Sequence, residues 1–368
     1  MAPVRVGRGC ELRLMTSSPN PDFHLDHPGA LIAAIPAVLG FVPENSLVLV
    51  TLDRGELGAV MRVDLSEALI EGIDHMAIAA ASNGPDAAIA VIVDDDGAAC
   101  RMCGDEHALL SEALTEALDQ HGVTLWAAHV VDRIAAGGRW HCADGCGRNG
   151  LVEDPSATPM AAAAVLDGRR LYQRRSDLQE VIATVDPART STLGFVIAAE
   201  AATRATGNSD ADGRTRADAD FVIRAAVTEP PGGPDGPSDA HLARLACALT
   251  DPRVRDMAYA LAVGSHAAPA EALWATLARV LPDPWRADAL ALLAFSAYAR
   301  GDGPLAGIAL EVALTSDPAH NMAGMLDEAL HKAMRPNQIR ELALSGFRVA
   351  TRLGVALPPR RTFGSRAG

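Results

Sequence analysis

The sequence predicts an α/β N-terminal domain, with a mixed sheet and flanking helices, followed by an all-α, tetratricopeptide-like helical C-terminal domain. Up to about residue 150, apolar runs and turn residues follow the order β-β-α-β-α-β-β, whereas the apolar spacing after residue 158 is helical. The helical half also contains an approximate 34-residue repeat. Its paired positions are Ala272 with Ala306 and Asp283-Pro284 with Asp317-Pro318.

These changes in composition divide the chain into six segments. We expect a loose lead-in, an α/β domain, a helical extension, a Gly/Pro/Asp-rich linker region, a helical C-terminal domain and a disordered basic tail. Their bounds are 1–27, 28–150, 151–206, 207–240, 241–355 and 356–368. Inside the linker region, the stretch 221–227 (FVIRAAV) fits a strand or a short helix.

The α/β domain begins with a helix in HPGALIAAIPAVLGF, because Pro28 suits a first helical turn and Gly40 suits a helix end. Two β-rich runs, Ser46–Asp53 and Gly58–Leu65, predict a hairpin. The next elements are a helix over 66–84, a strand at AAIAVIV and a helix over 105–122. A strand at VTLWAAHVVDRI and its hairpin partner GRWHCAD follow. The unbroken apolar run AAIAVIV is typical of a strand that is buried on both faces.

In the helical half, RADALALLAFSAYARGDGPLAGIALEVALTSDP resembles one tetratricopeptide unit. Small residues fall where two helices must approach each other, at Ala294, Ala306 and Ala313. The repeat does not continue further along the chain, because Glu328 and Arg352 occupy the key positions of the next unit. A plain helical bundle therefore stays open as the alternative to a repeat array.

Composition excludes several functions. The chain has 46 acidic and 32 basic residues, and a charge of -14 disfavours contact with nucleic acid. Lys332 is the single lysine and follows no GxxxxGK[ST] stretch, so no P-loop is present. Neither a signal peptide nor an apolar run of 18 residues is found. We therefore expect a cytoplasmic protein without membrane contact, in which the six cysteines are reduced.

Four of these cysteines form two close pairs, Cys100-x2-Cys103 and Cys142-x3-Cys146. Zinc prefers four soft ligands in a tetrahedron and often receives them as two such pairs, so the four residues are candidate zinc ligands. Cysteine is also commonly buried as a small hydrophobic residue. A third alternative is a redox pair at Cys100 and Cys103, which needs a helix N-terminus; residues 104–106 are the candidate start.

Polar residues near the ends of two predicted strands are candidates for a ligand site. Asp94 and Asp95 follow the first of these strands, and His129 and Asp132 lie near the end of the next. Ligands of α/β sheets bind beyond the carboxyl ends of strands. A solvated turn is the alternative for the acidic residues, because the further oxygens of a calcium loop are missing.

The loop GFVPENS between the first helix and the first strand is a second candidate for ligand binding, through Phe41 and Ser46. It can equally serve only to end the helix and start the strand. No GxSxG, HExxH or Gly-rich dinucleotide turn is present, so no familiar catalytic class is indicated.

Three blocks of the sequence resemble the actinobacterial family named domain of unknown function 4192 (DUF4192). The blocks are IPAVLGFVPENSLVLVTLDRGELGAVMRVDL, DPSATPMAAAAVLDGRRLYQRRSDL and DPRVRD. No activity is assigned to this family, so the resemblance identifies no catalytic residues. Members of the family tend to carry adjacent cysteines followed by prolines and a glycine, where this chain has Gly145-Cys146-Gly147 and lacks one cysteine and the prolines.

The function that the sequence favours is a non-catalytic protein-interaction or scaffold role, in which the helical half binds an unidentified protein partner. One alternative is an enzyme or small-ligand sensor with its site at the strand ends of the α/β domain. Another is a zinc-stabilised domain.

Overall fold

A computed structural model describes residues 27–66, 69–82, 84–166, 169, 171–206, 210–228, 237–332 and 334–360. The chain divides into two compact units, the first ending at Arg175 and the second beginning at Ser176. The first unit contains a mixed six-stranded sheet with helices, and the second is mostly helical, which confirms the predicted order of an α/β half and a helical half. Within the described ranges, no helix is long and apolar enough to cross a membrane.

The first unit follows the predicted order of strands and helices, with one additional strand. Its elements are α1 (Pro28–Leu39), β1 (Ser46–Asp53), β2 (Glu56–Asp64), α2 (Leu69–Ala81), β3 (Ala87–Val93), α3 (Arg101–Gln120), β4 (Thr124–Val131), β5 (Arg139–Cys142), β6 (Asn149–Leu151) and α4 (Pro159–Leu166). The strand order is β2-β1-β3-β4-β5-β6. Only β3 and β4 pair in parallel, because α3 crosses between them; the other neighbours are antiparallel.

One face of this sheet packs against α2 and α3. Apolar side chains of the central strands, including Leu49, Ile92 and Val130, join Leu114 and Leu118 of α3 in a buried cluster. All seven residues of β3 are buried, as the unbroken apolar run predicts. The packing fixes the carboxyl ends of β3 and β4 beside the start of α3.

The turn between β1 and β2 is shorter than the sequence suggests. Arg54 and Gly55 both have positive φ, of 53° and 82°, as in a two-residue hairpin turn. The strand β2 therefore begins at Glu56, two residues before the predicted start at Gly58. The prediction for α1 is confirmed, since the helix begins at Pro28 and ends at Leu39, with Gly40 as its C-cap at a φ of 75°.

The second unit consists of helices joined by short connections. They are α5 (Arg175–Gln179), which spans the boundary, α6 (Pro187–Thr206), α7 (Ala211–Val227), α8 (Asp239–Leu249), α9 (Pro252–Ala260), α10 (Ala267–Val280), α11 (Trp285–Arg300), α12 (Gly303–Ser316), α13 (Asn321–His331) and α14 (Pro336–Leu353). The predicted helical hairpin is formed by α11 and α12, with Ala294, Ala306 and Ala313 all fully buried.

The structure differs from the predicted segments at three places. The expected linker region 207–240 contains the helix α7, because the Asp210 carboxylate accepts hydrogen bonds from Asp212 and Gly213 and starts a helix that looks loop-like in composition. The first unit ends at 175 rather than 150, since Tyr172 bridges to Phe41. In the predicted disordered tail, Pro359 accepts a hydrogen bond from Ser265. The lead-in 1–26, residues 207–209 and 229–236 of the linker and the tail end 361–368 lie outside the described residues.

Candidate functional site

Asp94 follows β3 directly and is fixed by two contacts. Its Oδ1 atom accepts a hydrogen bond of 2.8 Å from the Gly97 N–H, and its Oδ2 atom lies 2.9 Å from His107 Nε2 on α3. A Cβ atom added at Gly97 would lie 1.9 Å from Asp94 Oδ2, so a larger residue there would displace the Asp94 carboxylate. The acidic turn is therefore a built structure that ties the end of β3 to α3.

His107 is buried, with its Nε2 atom directed to Asp94. Its Nδ1 atom is also buried and has no hydrogen-bond partner within the described part of the chain. Because a carboxylate only accepts, a neutral His107 ring donates its Nε2 proton to Asp94 and keeps a lone pair on Nδ1. The pair thus leaves one basic nitrogen unused beside the first turn of α3.

The helix α3 begins at Arg101, so Cys100 occupies the N-cap position. Cys100 is exposed, whereas Cys103, one turn later, is half-buried. The sequence predicts a helix that begins at Asp105, because Gly104, Asp105 and Glu106 are the nearest start signal. The condition that the sequence left open for a redox pair, a helix N-terminus at Cys100 and Cys103, is met.

The two thiols have opposite electrostatic environments. Hydrogen bonding from the Cys103 backbone N–H, from the Cys103 thiol and from the Met102 N–H lowers the pKa of Cys100. Donating to Cys100 raises the pKa of Cys103 to about 11, with smaller contributions from burial and from the charges of Cys100, Glu106 and Asp94. Cys100 is therefore the more acidic thiol of the pair, and the Cys103 thiol donates a hydrogen bond to it.

A second group lies on the opposite face of the sheet. His129 pairs in register with Cys142, and its Nδ1 atom lies 3.7 Å from the Cys142 sulfur. The neighbouring Val130 belongs to the cluster under α3, so the alternation of side chains places His129 on the other face. Burial is the main cause that lowers the pKa of His129 to about 4, and its ring is neutral at physiological pH.

The structure places the six residues predicted to bind a ligand in different environments. Asp132 holds the turn to β5, because its Oδ1 atom accepts hydrogen bonds from the backbone of Arg133 and Arg139. Asp95 is exposed to solvent. Of the six, Asp94 alone is positioned beside reactive groups on α3.

Phe41 and Ser46 fill structural positions. Phe41 is 4% exposed and forms a backbone bridge to Tyr172. Ser46 is fully buried; its hydroxyl donates to the Glu44 carbonyl and accepts from Arg62 Nε at 2.8 Å. These contacts hold the loop that connects α1 to β1.

The hairpin between β5 and β6 holds a compact set of donor atoms. The sulfurs of Cys142 and Cys146 and a carboxylate oxygen of Asp144 lie within 4.8 Å of one another. Among the described residues, neither Cys100 nor Cys103 belongs to a group of three or more such ligand atoms within 4.8 Å of one another. The structure therefore does not bring the two cysteine pairs together as the four ligands that the sequence suggested.

The helical unit has a pocket of about 340 Å³. Arg204 lines it and donates to both oxygens of Asp218, at 2.9 and 3.1 Å. Arg253 also lines it and pairs with Asp251 and Asp212. These internal ion pairs neutralise both guanidinium groups, so the pocket offers weaker anion binding than its arginines alone suggest.

Comparison with known proteins gives one match. A family model described as a domain of unknown function (DUF4192) matches residues 28–337, which is most of the chain. No curated protein and no solved structure matches.

Proposed function

The chain belongs to the DUF4192 family, a domain of unknown function, and we propose that its first unit is a dithiol–disulfide redox protein in which Cys100 and Cys103 react. The observation that carries this proposal is the position of the two thiols across the first turn of the twenty-residue helix α3. The positive end of a helix stabilises a thiolate at this position. The proposal specifies the enzyme or sensor site at the strand ends that the sequence left as an alternative.

The reaction takes place in two exchanges, with a disulfide R–S–S–R′ as the oxidant. The Cys100 thiolate attacks one sulfur of R–S–S–R′, forms a mixed disulfide with R–S and releases R′–S⁻, which takes up a proton. Cys103 then loses its proton, and its sulfur attacks Cys100, so that the second thiol R–SH leaves. Two electrons pass from the cysteine pair to the disulfide, and the pair becomes a disulfide.

The second exchange needs a base, because the pKa of Cys103 is raised to about 11. His107 lies four residues after Cys103 on α3, so the two side chains share one side of the helix. The Asp94 carboxylate orients the ring through Nε2 and leaves the Nδ1 lone pair as the acceptor. We propose that the Asp94–His107 pair takes the Cys103 proton once the Cys103 side chain turns towards Nδ1, which has no hydrogen-bond partner among the described residues.

Alkylation as a function of pH tests the proposal. We expect iodoacetamide to modify Cys100 faster than Cys146 at neutral pH, because only thiolates react and the pKa of Cys100 is lowered. As pH rises, the rate at Cys100 increases through its pKa first, and Cys103 stays largely unmodified until the pH nears 11. Peptide mass spectrometry measures each site in the same reduced sample.

Cys146 is a suitable internal control, because it is exposed but lies in a hairpin turn rather than at a helix N-terminus. Equal rates at Cys100 and Cys146 across the pH range would argue against the redox role. So would the absence of a Cys100–Cys103 disulfide peptide after treatment with excess oxidised glutathione.

A second function, binding of a protein partner by the helical unit, is supported by one exposed aromatic side chain. Phe195 lies in the middle of α6 and is 79% exposed. Aromatic side chains are enriched in the cores of protein–protein interfaces. We propose partner binding at this face, with the tetratricopeptide-like pairing of α11 and α12 as its scaffold.

A photo-crosslinking residue at position 195 is expected to give a discrete crosslinked species in cells, with the exposed Thr203 of the same helix as the control position. The contact requires apolar burial, so crosslinking at 195 should be several times stronger than at 203. Electrophoresis and mass spectrometry read both. Equal and diffuse crosslinking at positions 195 and 203 would contradict partner binding at this face.

A further inference from the structure

We propose that the hairpin turn between β5 and β6 binds a zinc ion through Cys142, Asp144 and Cys146, with the fourth position open to water or a small ligand. The three donor atoms already lie within 4.8 Å of one another. The site is separate from the Cys100–Cys103 pair and does not depend on the redox function proposed above.

The backbone conformation of the turn brings these donor atoms close together. Gly145 and Gly147, on either side of Cys146, have positive φ, of 69° and 82°, a backbone conformation that glycine adopts readily and that tight turns use. One Asp144 oxygen accepts a hydrogen bond of 3.0 Å from the Cys146 N–H, which orients the carboxylate within the turn. A ligand thus occurs at every second residue of a short loop that two strands hold at its ends.

The donor set matches zinc in chemistry and nearly in size. Two sulfurs on one tetrahedral zinc, each at about 2.3 Å, are about 3.8 Å apart. The loop therefore has to tighten by about 1 Å or less, which an exposed turn permits. Thiolate sulfurs disfavour calcium and magnesium, whose ligands are oxygens. Three protein ligands with an open fourth position are typical of zinc sites that bind an exchangeable ligand.

A contact outside the ligand set supports the same site. His129 Nδ1 lies 3.7 Å from the Cys142 sulfur, and the ring is held in place by an edge-on contact with Trp140, with centroids 5.2 Å apart. In the tautomer that carries a proton on Nδ1, the ring donates to this sulfur. Donors of this kind orient metal thiolates and stabilise their charge.

Cobalt substitution tests the site in the reduced full-length chain. We expect one Co²⁺ to bind per chain and to give the thiolate-to-metal absorption of two sulfurs. One equivalent of Zn²⁺ should displace the Co²⁺ and abolish this absorption. Cys146→Ser and Asp144→Asn are the informative variants, because both side chains are exposed and their loss leaves the core intact. We expect Cys146→Ser to halve the thiolate absorption and Asp144→Asn to weaken binding about tenfold or more.

The matched control is the double variant Cys100→Ser/Cys103→Ser, which is expected to bind Co²⁺ as the unchanged chain does. Three results would overturn the proposal. They are no stoichiometric binding, binding that is unchanged in Cys146→Ser, and binding that is lost in the control. The last result would instead assign the metal to the α3 thiols and would also contradict their role as a redox pair.

Discussion

Replacing Cys103 with Ser is expected to stop the reaction with a disulfide after its first exchange and to leave the chain covalently attached at Cys100. With the aromatic disulfide DTNB, the unchanged pair should release two coloured thiolates per chain, one from each exchange. The variant should release one, because no second thiol can attack Cys100. The variant therefore loses the entire second phase of thiolate release, which is the largest effect that we expect from a substitution at the Cys100–Cys103 pair.

The measurement needs a background in which Cys10 and Cys146 are replaced by Ser, so that these thiols do not add colour. Intact-mass spectrometry then shows the adduct on the Cys103→Ser chain. In the same background, Cys100→Ser should abolish the rapid first phase. His107→Gln should leave the first phase unchanged and slow the second about tenfold or more, since it removes the proton acceptor. Two thiolates from the Cys103→Ser chain would rule out Cys103 as the resolving residue.

Much of the sheet could be predicted from the sequence because its signals are local. An unbroken apolar run is enough to predict β3, and Pro28 and Gly40 are enough to bound α1. The start of α3 was missed because cysteine is a weak helix-start signal and the acidic residues after Gly104 are strong ones. That difference of four residues decides whether Cys100 lies at a helix N-terminus.

The contacts that define the candidate sites could not be predicted, because they depend on strand register and on helix docking. His129 meets Cys142 only since β4 and β5 pair in one register, and a shift of one residue would reverse the face of either side chain. The Asp94–His107 contact joins residues 13 apart and needs α3 to lie against β3. No spacing rule in the sequence contains this information.

The helices α9 and α14 approach each other closely because residue 346 is a glycine, which has no side chain. A Cβ atom added at Gly346 of α14 would lie 2.0 Å from the Asp256 carbonyl oxygen on α9 and 2.9 Å from the Ala260 Cβ. The nearest atom is backbone, which cannot rotate away as a side-chain end can. The helices α9 and α14 must therefore separate if any larger residue replaces this glycine.

The separation would spread beyond this contact, because α9 is tied to other helices. The Arg255 guanidinium pairs with the Asp288 carboxylate on α11, and Asp288 also accepts from His320 Nε2 at 3.1 Å. Asp288 and His320 are both buried. Moving α9 would strain a charge pair that lies largely out of water, where a broken interaction is costly.

Gly346→Ala is therefore expected to lower the free energy of unfolding of the helical unit by about 3 kcal/mol or more, from overpacking. Gly324→Ala on α13 is the matched control: a Cβ there meets nothing within 4 Å, so alanine should stabilise the helix by up to about 1 kcal/mol. Urea unfolding followed by circular dichroism measures both variants. Hydrogen exchange should show faster opening of α9 and α14 in Gly346→Ala alone, and equal stability of the two variants would mean that the helices are not in this close contact.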